Sequence, residues 1–358
     1  MDADREKREG LKRQVTPDLE PARTVVTGGN GFLGSALVER LRARGEPVRL
    51  LLRKPPKPGT PADPAREGGA VSLVLGSLAQ PDVVDAAIAG ADTVFHLGAT
   101  MYGSNEEFQQ GTVWGTKNVV EACLRHKVKR LVHVSSLAVL DHAGHRSNTV
   151  ITETSAVEPF PDRRGPYAQT KLEAERIVLD AAKQRGLSAV VIRPGQIVGP
   201  GGERVTPNGI ISIAGRWIVA GSGSRKLPLV YRDDVVDALM ASAASERGLG
   251  EVVHVVDSTP VDQNEYLRHR EKALPAIRVH RVPEFVLMAA AAIIEVLATA
   301  FRRRAPVSRY RIRSLKPLHP VDISQAERLL GWTPRVGVRE GLLRTFGGLV
   351  NAASKEQR

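Results

Sequence analysis

Arg23-Thr24-Val25-Val26-Thr27-Gly28-Gly29-Asn30-Gly31-Phe32-Leu33-Gly34 is the stretch that decides the fold. Its opening residues, rich in β-branched side chains, read as a short strand. Gly28, Gly31 and Gly34 follow at three-residue spacing, and a helical pattern then runs to Ala43, stopped by Gly45. Pro47 to Leu52 returns as a second strand. Strand, glycine turn, helix and strand form the unit that binds a dinucleotide. The glycines permit a tight turn and let a pyrophosphate approach backbone N–H groups at a helix N-terminus. Gly28, Asn30, Gly31, Phe32, Leu33 and Gly34 are therefore candidate cofactor contacts.

Working outward, the residue that ends the second strand is Arg53, followed by Lys54. An acid at this place would accept from the ribose 2′-hydroxyl of NAD. A positive pair suits a 2′-phosphate instead, so NADP(H) is favoured over NAD(H). Strand and helix patterns keep alternating: Val71 to Leu75, Pro81 to Ile88, Thr93 to Leu97, Thr116 to His126, Arg130 to Val134, a helix from Tyr167 to Arg185, and Ala189 to Arg193. Repeated βα units predict an α/β fold, a doubly wound parallel sheet of the Rossmann kind. Residues 1–22 read as a disordered tail with no secretion signal. Residues 23–258 read as the dinucleotide domain, with 200–228 contributing to a substrate lobe, and 259–350 as a smaller, mainly helical C-terminal lobe.

Tyr167-Ala168-Gln169-Thr170-Lys171 carries the second signal. Residues four apart share a helix face, so a phenol and an ammonium can address one point. A free tyrosine has a pKa of about 10, and a neighbouring ammonium favours its phenolate. The pair can therefore move a proton to or from an alcohol or ketone oxygen. At this spacing alone, an exposed helix pair remains the competing reading.

Composition narrows the class. The chain has 358 residues, 42% apolar and 25% charged, as a globular protein does. The single cysteine, Cys123, reads as a small buried hydrophobe, with no metal site expected and a reducing compartment, the cytoplasm, as the location. The net charge of +12 invites nucleic acid, yet aromatics are only 4% and interleave with no basic patch. Much of the excess lies in Arg302, Arg303, Arg304, Arg309, Arg311, Arg313 and Lys316, with no acid among residues 302–316. An anionic small molecule, an acidic lipid surface or plain solvation is preferred to nucleic acid. Directly before this run, Phe285 to Phe301 is apolar apart from Glu295, too short to span a bilayer. It is a core helix, a lid or a membrane-surface helix, and peripheral membrane contact through 285–316 stays open.

These residues resemble the extended short-chain dehydrogenases/reductases, also called the NAD-dependent epimerase/dehydratase family, from about 24 to 347. The likeness rests on Thr27 to Gly34, His96-Leu97-Gly98-Ala99, Gly115-Thr116 before Asn118 to Ala122, Val134-Ser135-Ser136, Tyr167 with Lys171, Arg193 to Pro200, Asp233-Asp234-Val235, and Asp322 through Trp332. The resemblance implies roles. Tyr167 would be the general acid/base, Lys171 would lower its pKa and hold the nicotinamide ribose, and Ser136 would hydrogen-bond the substrate oxygen. Ser77, Leu78, Leu97, Gly98 and Ala99 would contact the adenosine half, and Pro194, Gly195 and Ile197 would flank the nicotinamide. Family members are often dimers, so a homodimer is implied by analogy. Three departures stand out. Thr112 sits where the family often has Asn, Ser77 replaces a usual acid, and Val139-Leu140-Asp141 replaces Val-Tyr-Gly.

The reaction follows from what surrounds the motifs. Leu137-Ala138 after Ser136 cannot move the protons of a sugar dehydration. Leu227-Pro228-Leu229 stands where sugar epimerases usually carry Arg-Asp-Phe, and looks more like the 3β-hydroxysteroid dehydrogenase-like and ketone-reductase branches. The expectation is an oxidoreductase that interconverts a secondary alcohol and a ketone on a largely apolar, sterol-like or acyl/aryl substrate. A nucleotide-sugar epimerase is the alternative, and a non-catalytic cofactor sensor the third.

Overall fold

The computed structural model describes residues 23–356, apart from 147–148, 214, 275–276, 302–304 and 306. The expected tail at 1–22 and the three arginines that open the basic run lie outside the described residues.

The strand into the glycine turn, β1 (Thr24–Thr27), and the strand after it, β2 (Val48–Leu52), flank α1 (Phe32–Ala43). The pattern repeats through β3 (Val71–Leu75), α2 (Pro81–Ile88) and β4 (Thr93–His96). A helix opens at α3 (Asn105–Phe108), passes through a widened π-helical turn at Gln109–Trp114, and continues as α4 (Gly115–Arg125). The sequence reading began this helix only at Thr116. Gly111 hides the earlier part, because its helix penalty masks a packing need: a Cβ there would lie 2.2 Å from Thr100 Oγ1. β5 (Arg130–Val134), α5 (Pro161–Arg164), α6 (Pro166–Arg185) and β6 (Ala189–Pro194) follow. Counting the short β7 (Gln196–Val198), β8 (Ile210–Ile213), β9 (Arg216–Ala220) and β10 (Leu229–Tyr231), the strand at Val252–Val255 is β11. The order β11-β6-β5-β4-β1-β2-β3 makes one seven-stranded sheet. Pairing is parallel, for example Val26 beside Leu50 on one side and Phe95 on the other. The order reverses between β1 and β4, the switch point where doubly wound sheets bind ligands.

Buried strands read as near-continuous apolar runs because helices cover both faces, and β5 is buried at every residue. Val25, Val94 and Leu131 pack against Val84, Ile88, Val119 and Cys123 in one core. Burial holds the Cys123 thiol up at about 12.

The chain divides into two compact units that interleave along the sequence. The first comprises 1–135, 173–192 and 239–252; the second comprises 136–172, 193–238 and 253–358. The second holds α7 (Arg232–Ala244) as far as Ala238, α8 (Gln263–Glu271), β12 (Arg278–Val282), α9 (Glu284–Ala300), α10 (Arg309–Arg313), α11 (Ser324–Leu330) and α12 (Val338–Glu356). Its C-terminal part is mainly helical, as expected. The reading missed a three-stranded sheet, β12-β9-β8, whose strands are short and of which β9 and β12 mix charge with apolar residues. Trp217 and Val219 of β9 are buried beneath it. Asp234 ties the C-terminal motif down: its carboxylate accepts from the N–H groups of Arg335, Val336 and Gly337, and its carbonyl from the Trp332 indole.

A helix that is apolar nearly all round is normally buried. Of the 17 residues of α9, only Ala291 is. Among the described residues, no helix is long and apolar enough to cross a membrane.

Candidate active site

In the first unit the glycine turn has little spare room. Gly28 is left-handed at φ +73°, and a Cβ on it would lie 2.9 Å from Gly98 N. A Cβ on Gly34 would lie 2.1 Å from the Gly28 carbonyl oxygen. The Gly31 N–H donates to the Gly28 carbonyl at 3.0 Å, closing the turn. Gly31 then caps α1 with no side-chain hydrogen bond, and the first turn holds no acid. A helix N-terminus is an anion site when nothing internal occupies it. The residues present therefore fit a dinucleotide pyrophosphate. Asn30 is exposed on this turn, Phe32 half-buried and Leu33 buried.

Buried side chains fix the neighbouring segment. Thr27 Oγ1 lies 2.8 Å from His96 Nδ1, and His96 Nε2 lies 3.0 Å from Thr116 Oγ1. Thr27 Oγ1 also accepts from the Gly98 N–H at 3.0 Å, which holds Leu97, Gly98 and Ala99 against the turn. Asn118 donates to the Leu78 carbonyl at 2.8 Å, and Ser77 Oγ accepts from Ala79 N–H. Thr112, at the first departure, is buried and accepts from the Thr100 N–H at 3.0 Å, so it does internal work. Arg53 is exposed where β2 ends. The Glu107 carboxyl is held below its usual range mainly by the Ser104 N–H, and Arg53 adds to that.

In the second unit, Ser136 follows β5 and starts a single 3₁₀ turn, its Oγ accepting from Ala138 N–H at 3.1 Å. Tyr167 sits in the first turn of α6 and Lys171 one turn on, buried. The Tyr167 phenol shares a hydrogen bond with Ser136. It keeps part of its surface open, yet is so enclosed that burial pushes its pKa up, with the Ser136 bond opposing. The lowering expected from Lys171 is not what the chain alone imposes. A phenol held protonated at neutral pH is set to donate a proton. Pro194 and Gly195 are buried at the end of β6, where a Cβ on Gly195 would lie 2.1 Å from the Pro228 carbonyl oxygen. Ile197 lies on β7, which pairs with β10.

The same unit holds a cavity of about 490 Å³ that sequence reasoning missed. Its lining includes Ile210, Ile312 and Leu315 together with His142, Arg164 and Arg311. Arg164 is three residues before Tyr167, so the chain itself keeps the two backbones within roughly 11 Å. His142 Nε2 lies 3.2 Å from the carbonyl of Leu137, the residue after Ser136, and Nδ1 3.0 Å from the Lys316 carbonyl. Burial pushes His142 down to about 4. Gln196, beside Ile197, grips the cavity's loop, donating to the Thr206 carbonyl at 3.1 Å and accepting from Asn208 N–H at 2.8 Å.

A buried carboxylate, Glu158, organises the charged wall. It accepts from Phe160 N–H at 3.0 Å, from Arg164 at 3.3 Å and from the Tyr310 hydroxyl. Arg163 lies over the Phe160 and Tyr310 rings at 4.9 and 5.9 Å. An arginine so held keeps further N–H groups in a fixed fork, suited to a planar anion. Glu158 and Arg164 carry no sequence motif. The only available signal was a cluster of arginines just ahead of Tyr167. Among the described residues, no group of His, Cys, Asp and Glu could hold a metal ion.

Comparison with known proteins identifies the family. The pattern of the NAD dependent epimerase/dehydratase family matches residues 24–256. A 2-alkyl-3-oxoalkanoate reductase of Stenotrophomonas maltophilia is 33% identical over 336 residues, 89% of this chain and 97% of that protein. A 3beta-hydroxysteroid-dehydrogenase/decarboxylase (isoform 1) of Arabidopsis thaliana is 29% identical over 360 residues, 93% and 81% of the two chains. A solved structure of MoeE5 in complex with UDP-glucuronic acid and NAD shares 25% identity at a TM-score of 0.67, covering 92% of this chain and 99% of that one.

Proposed function

Since this chain belongs to the NAD dependent epimerase/dehydratase family, we propose that it reduces the ketone of an apolar substrate bearing an anionic group. That it is an NAD-dependent oxidoreductase follows from the family; the substrate, the residues and the NADP preference are our reading. The observation that carries it is the cavity of about 490 Å³, where Ile210, Ile312 and Leu315 meet a polar wall with Arg164 and Arg311, Arg164 being three residues along the chain from Tyr167. A 3-oxo acid with alkyl arms has this chemistry, and the name of the Stenotrophomonas relative points the same way.

Bound nicotinamide supplies hydride to a carbonyl carbon, or takes it from an alcohol. The chain's own residues manage the oxygen. Ser136 donates a hydrogen bond to the carbonyl oxygen and Tyr167 gives it a proton as charge develops. With its pKa raised by burial, the phenol is protonated at neutral pH, the form that donates in the reducing direction. Lys171, buried one turn on, stabilises the phenolate left behind and holds the ribose. Arg164 fixes the substrate's anion, and so the distance of its ketone from Tyr167. Arg53 takes the 2′-phosphate of NADP(H), a contact of about 1.5–3 kcal/mol, or roughly tenfold to a hundredfold over NAD(H).

The test is a substrate series with NADPH: a 2-alkyl-3-oxoalkanoic acid, its methyl ester, a 3-keto steroid and a UDP-sugar. The acid should exceed the ester at least tenfold in kcat/KM, and Arg164→Met should cancel that difference. Tyr167→Phe should cost about 10²–10⁴ in rate while leaving NADPH affinity unchanged by calorimetry. Turnover of the UDP-sugar alone would overturn the reading in favour of an epimerase. Equal affinity for NADPH and NADH, unchanged in Arg53→Asp, would remove the NADP assignment.

A further inference from the structure

We infer that α9 (Glu284–Ala300) is a docking surface for an anionic lipid bilayer, lying along the interface rather than crossing it. This goes beyond the proposed reaction and does not depend on it.

The helix carries the sequence EFVLMAAAAIIEVLATA, and only Ala291 is buried. Phe285 is 75% exposed, Ile293 61%, Val296 69% and Phe301, just past its end, 74%. Positions 285, 289, 293, 296 and 300 recur at spacings of three and four, so they form one continuous face. An exposed apolar face of this extent marks an interaction site rather than ordinary surface. At 1.5 Å per residue the helix is about 25 Å long, short of the roughly 30 Å of a hydrocarbon core.

Charge decides the occupant. Both carboxylates of α9 are engaged by cations: Glu284 by Arg225 and by Lys316 at 3.1 Å, and Glu295 by Arg309 at 2.7 Å. The helix therefore offers a bilayer no bare negative charge. In the sequence it leads directly into Arg302-Arg303-Arg304, and Arg313 on α10 is exposed. Basic groups beside an apolar surface helix suit anionic headgroups. A second copy of the chain fits less well. In a two-fold contact through this face each basic run would meet either its equal or the other end of the second helix, whose one carboxylate, Glu284, is already held by Arg225 and Lys316. The location has a use, because α9 packs on α10, whose Arg311 and Ile312 line the cavity.

The experiment is flotation of the full chain with vesicles of 70% phosphatidylcholine and 30% phosphatidylglycerol, against pure phosphatidylcholine, at low salt and in 0.5 M NaCl. Binding to the anionic vesicles is expected, at least tenfold weaker on neutral vesicles and in high salt. Phe285→Gln/Ile293→Gln/Val296→Gln should lower partitioning at least tenfold with the thermal midpoint unchanged. Phe285→Gln/Phe301→Gln replaces it if the triple variant is unfolded. Absence of flotation at low salt, or flotation that neither variant weakens, overturns the proposal. So does sedimentation velocity that finds a dimer which the substitutions dissociate, for the face would then belong to a second copy.

Discussion

The glycine turn of the first unit and the cavity of the second are built from opposite materials. The turn is backbone against backbone: Gly28 and Gly34 leave no space for a side chain, and no charged group caps α1. The cavity wall is side chain against side chain, with Glu158 buried beneath Arg164 and Tyr310. A backbone site is specified by a handful of adjacent residues. A side-chain site is specified by pairs that meet only after folding, such as His142 with Lys316 and Glu158 with Tyr310.

The sharpest way to break this contrast is Gly34→Ala. Its Cβ would lie 2.1 Å from a carbonyl oxygen that cannot move without opening the turn. Cofactor affinity should fall at least a thousandfold, about 4 kcal/mol, by calorimetry on protein whose circular dichroism is unchanged. Affinity within tenfold of the parent would mean that the turn is not a tight backbone cradle.

Glu158→Gln probes the other material. Removing one partner of a buried ion pair costs about 3–5 kcal/mol, here because Arg164 would keep its charge without its hydrogen-bonded carboxylate, leaving the weaker pull of Asp141. Urea unfolding should show that loss, and a change below 1 kcal/mol would refute a charge-built wall.

A pH series sharpens the comparison further. His142 in the folded chain ionises only at about 4, with burial the main cause, aided by Arg164 and His145 and opposed by hydrogen bonds to the Lys316 and Leu137 carbonyls. Unfolded, it takes up a proton at about pH 6.5. Its contribution to stability is thus complete above pH 6.5 and lost as pH falls to about 4, of order 3 kcal/mol in all. His142→Gln should flatten the urea midpoint over that range. An unaltered slope would show that the ring is not sequestered.

The smallest effect is the control. Gly347 of α12 has nothing within 4 Å of a Cβ, so Gly347→Ala should be neutral or stabilise by up to about 1 kcal/mol. A loss would mean that glycine in this chain resists substitution whatever its surroundings.

The same contrast explains what was legible. β1, α1 and β2 follow from adjacent residues, because turn geometry, helix propensity and strand pattern all act within a dozen positions. Tyr167 and Lys171 share a face for the same local reason. Ser136 was found by resemblance, since a serine after a strand has no local mark. Arg164 was not found, since its importance comes from a glutamate six residues before it that carries no motif and a tyrosine 146 positions further on. β9 and β12 were missed because each mixes Arg with Val or Ile, and the pairing that joins them spans 62 residues between Arg216 and Arg278. For α9 the composition was plain but its burial was not. Only the neighbours that fail to cover a helix reveal that it is exposed.

Cys123 has a practical consequence. It is the chain's single cysteine, 1% exposed, with its thiol held up at about 12. A thiol that is neither accessible nor ionised does not react with maleimides or methanethiosulfonates. The unaltered chain is therefore its own blank for labelling. A cysteine introduced at Ile293 or Phe301 would carry a nitroxide or fluorophore alone, with no need to remove the native residue from the core. Collision quenching from the lipid and aqueous sides would then read out, residue by residue, how deeply each turn of α9 rests in a bilayer.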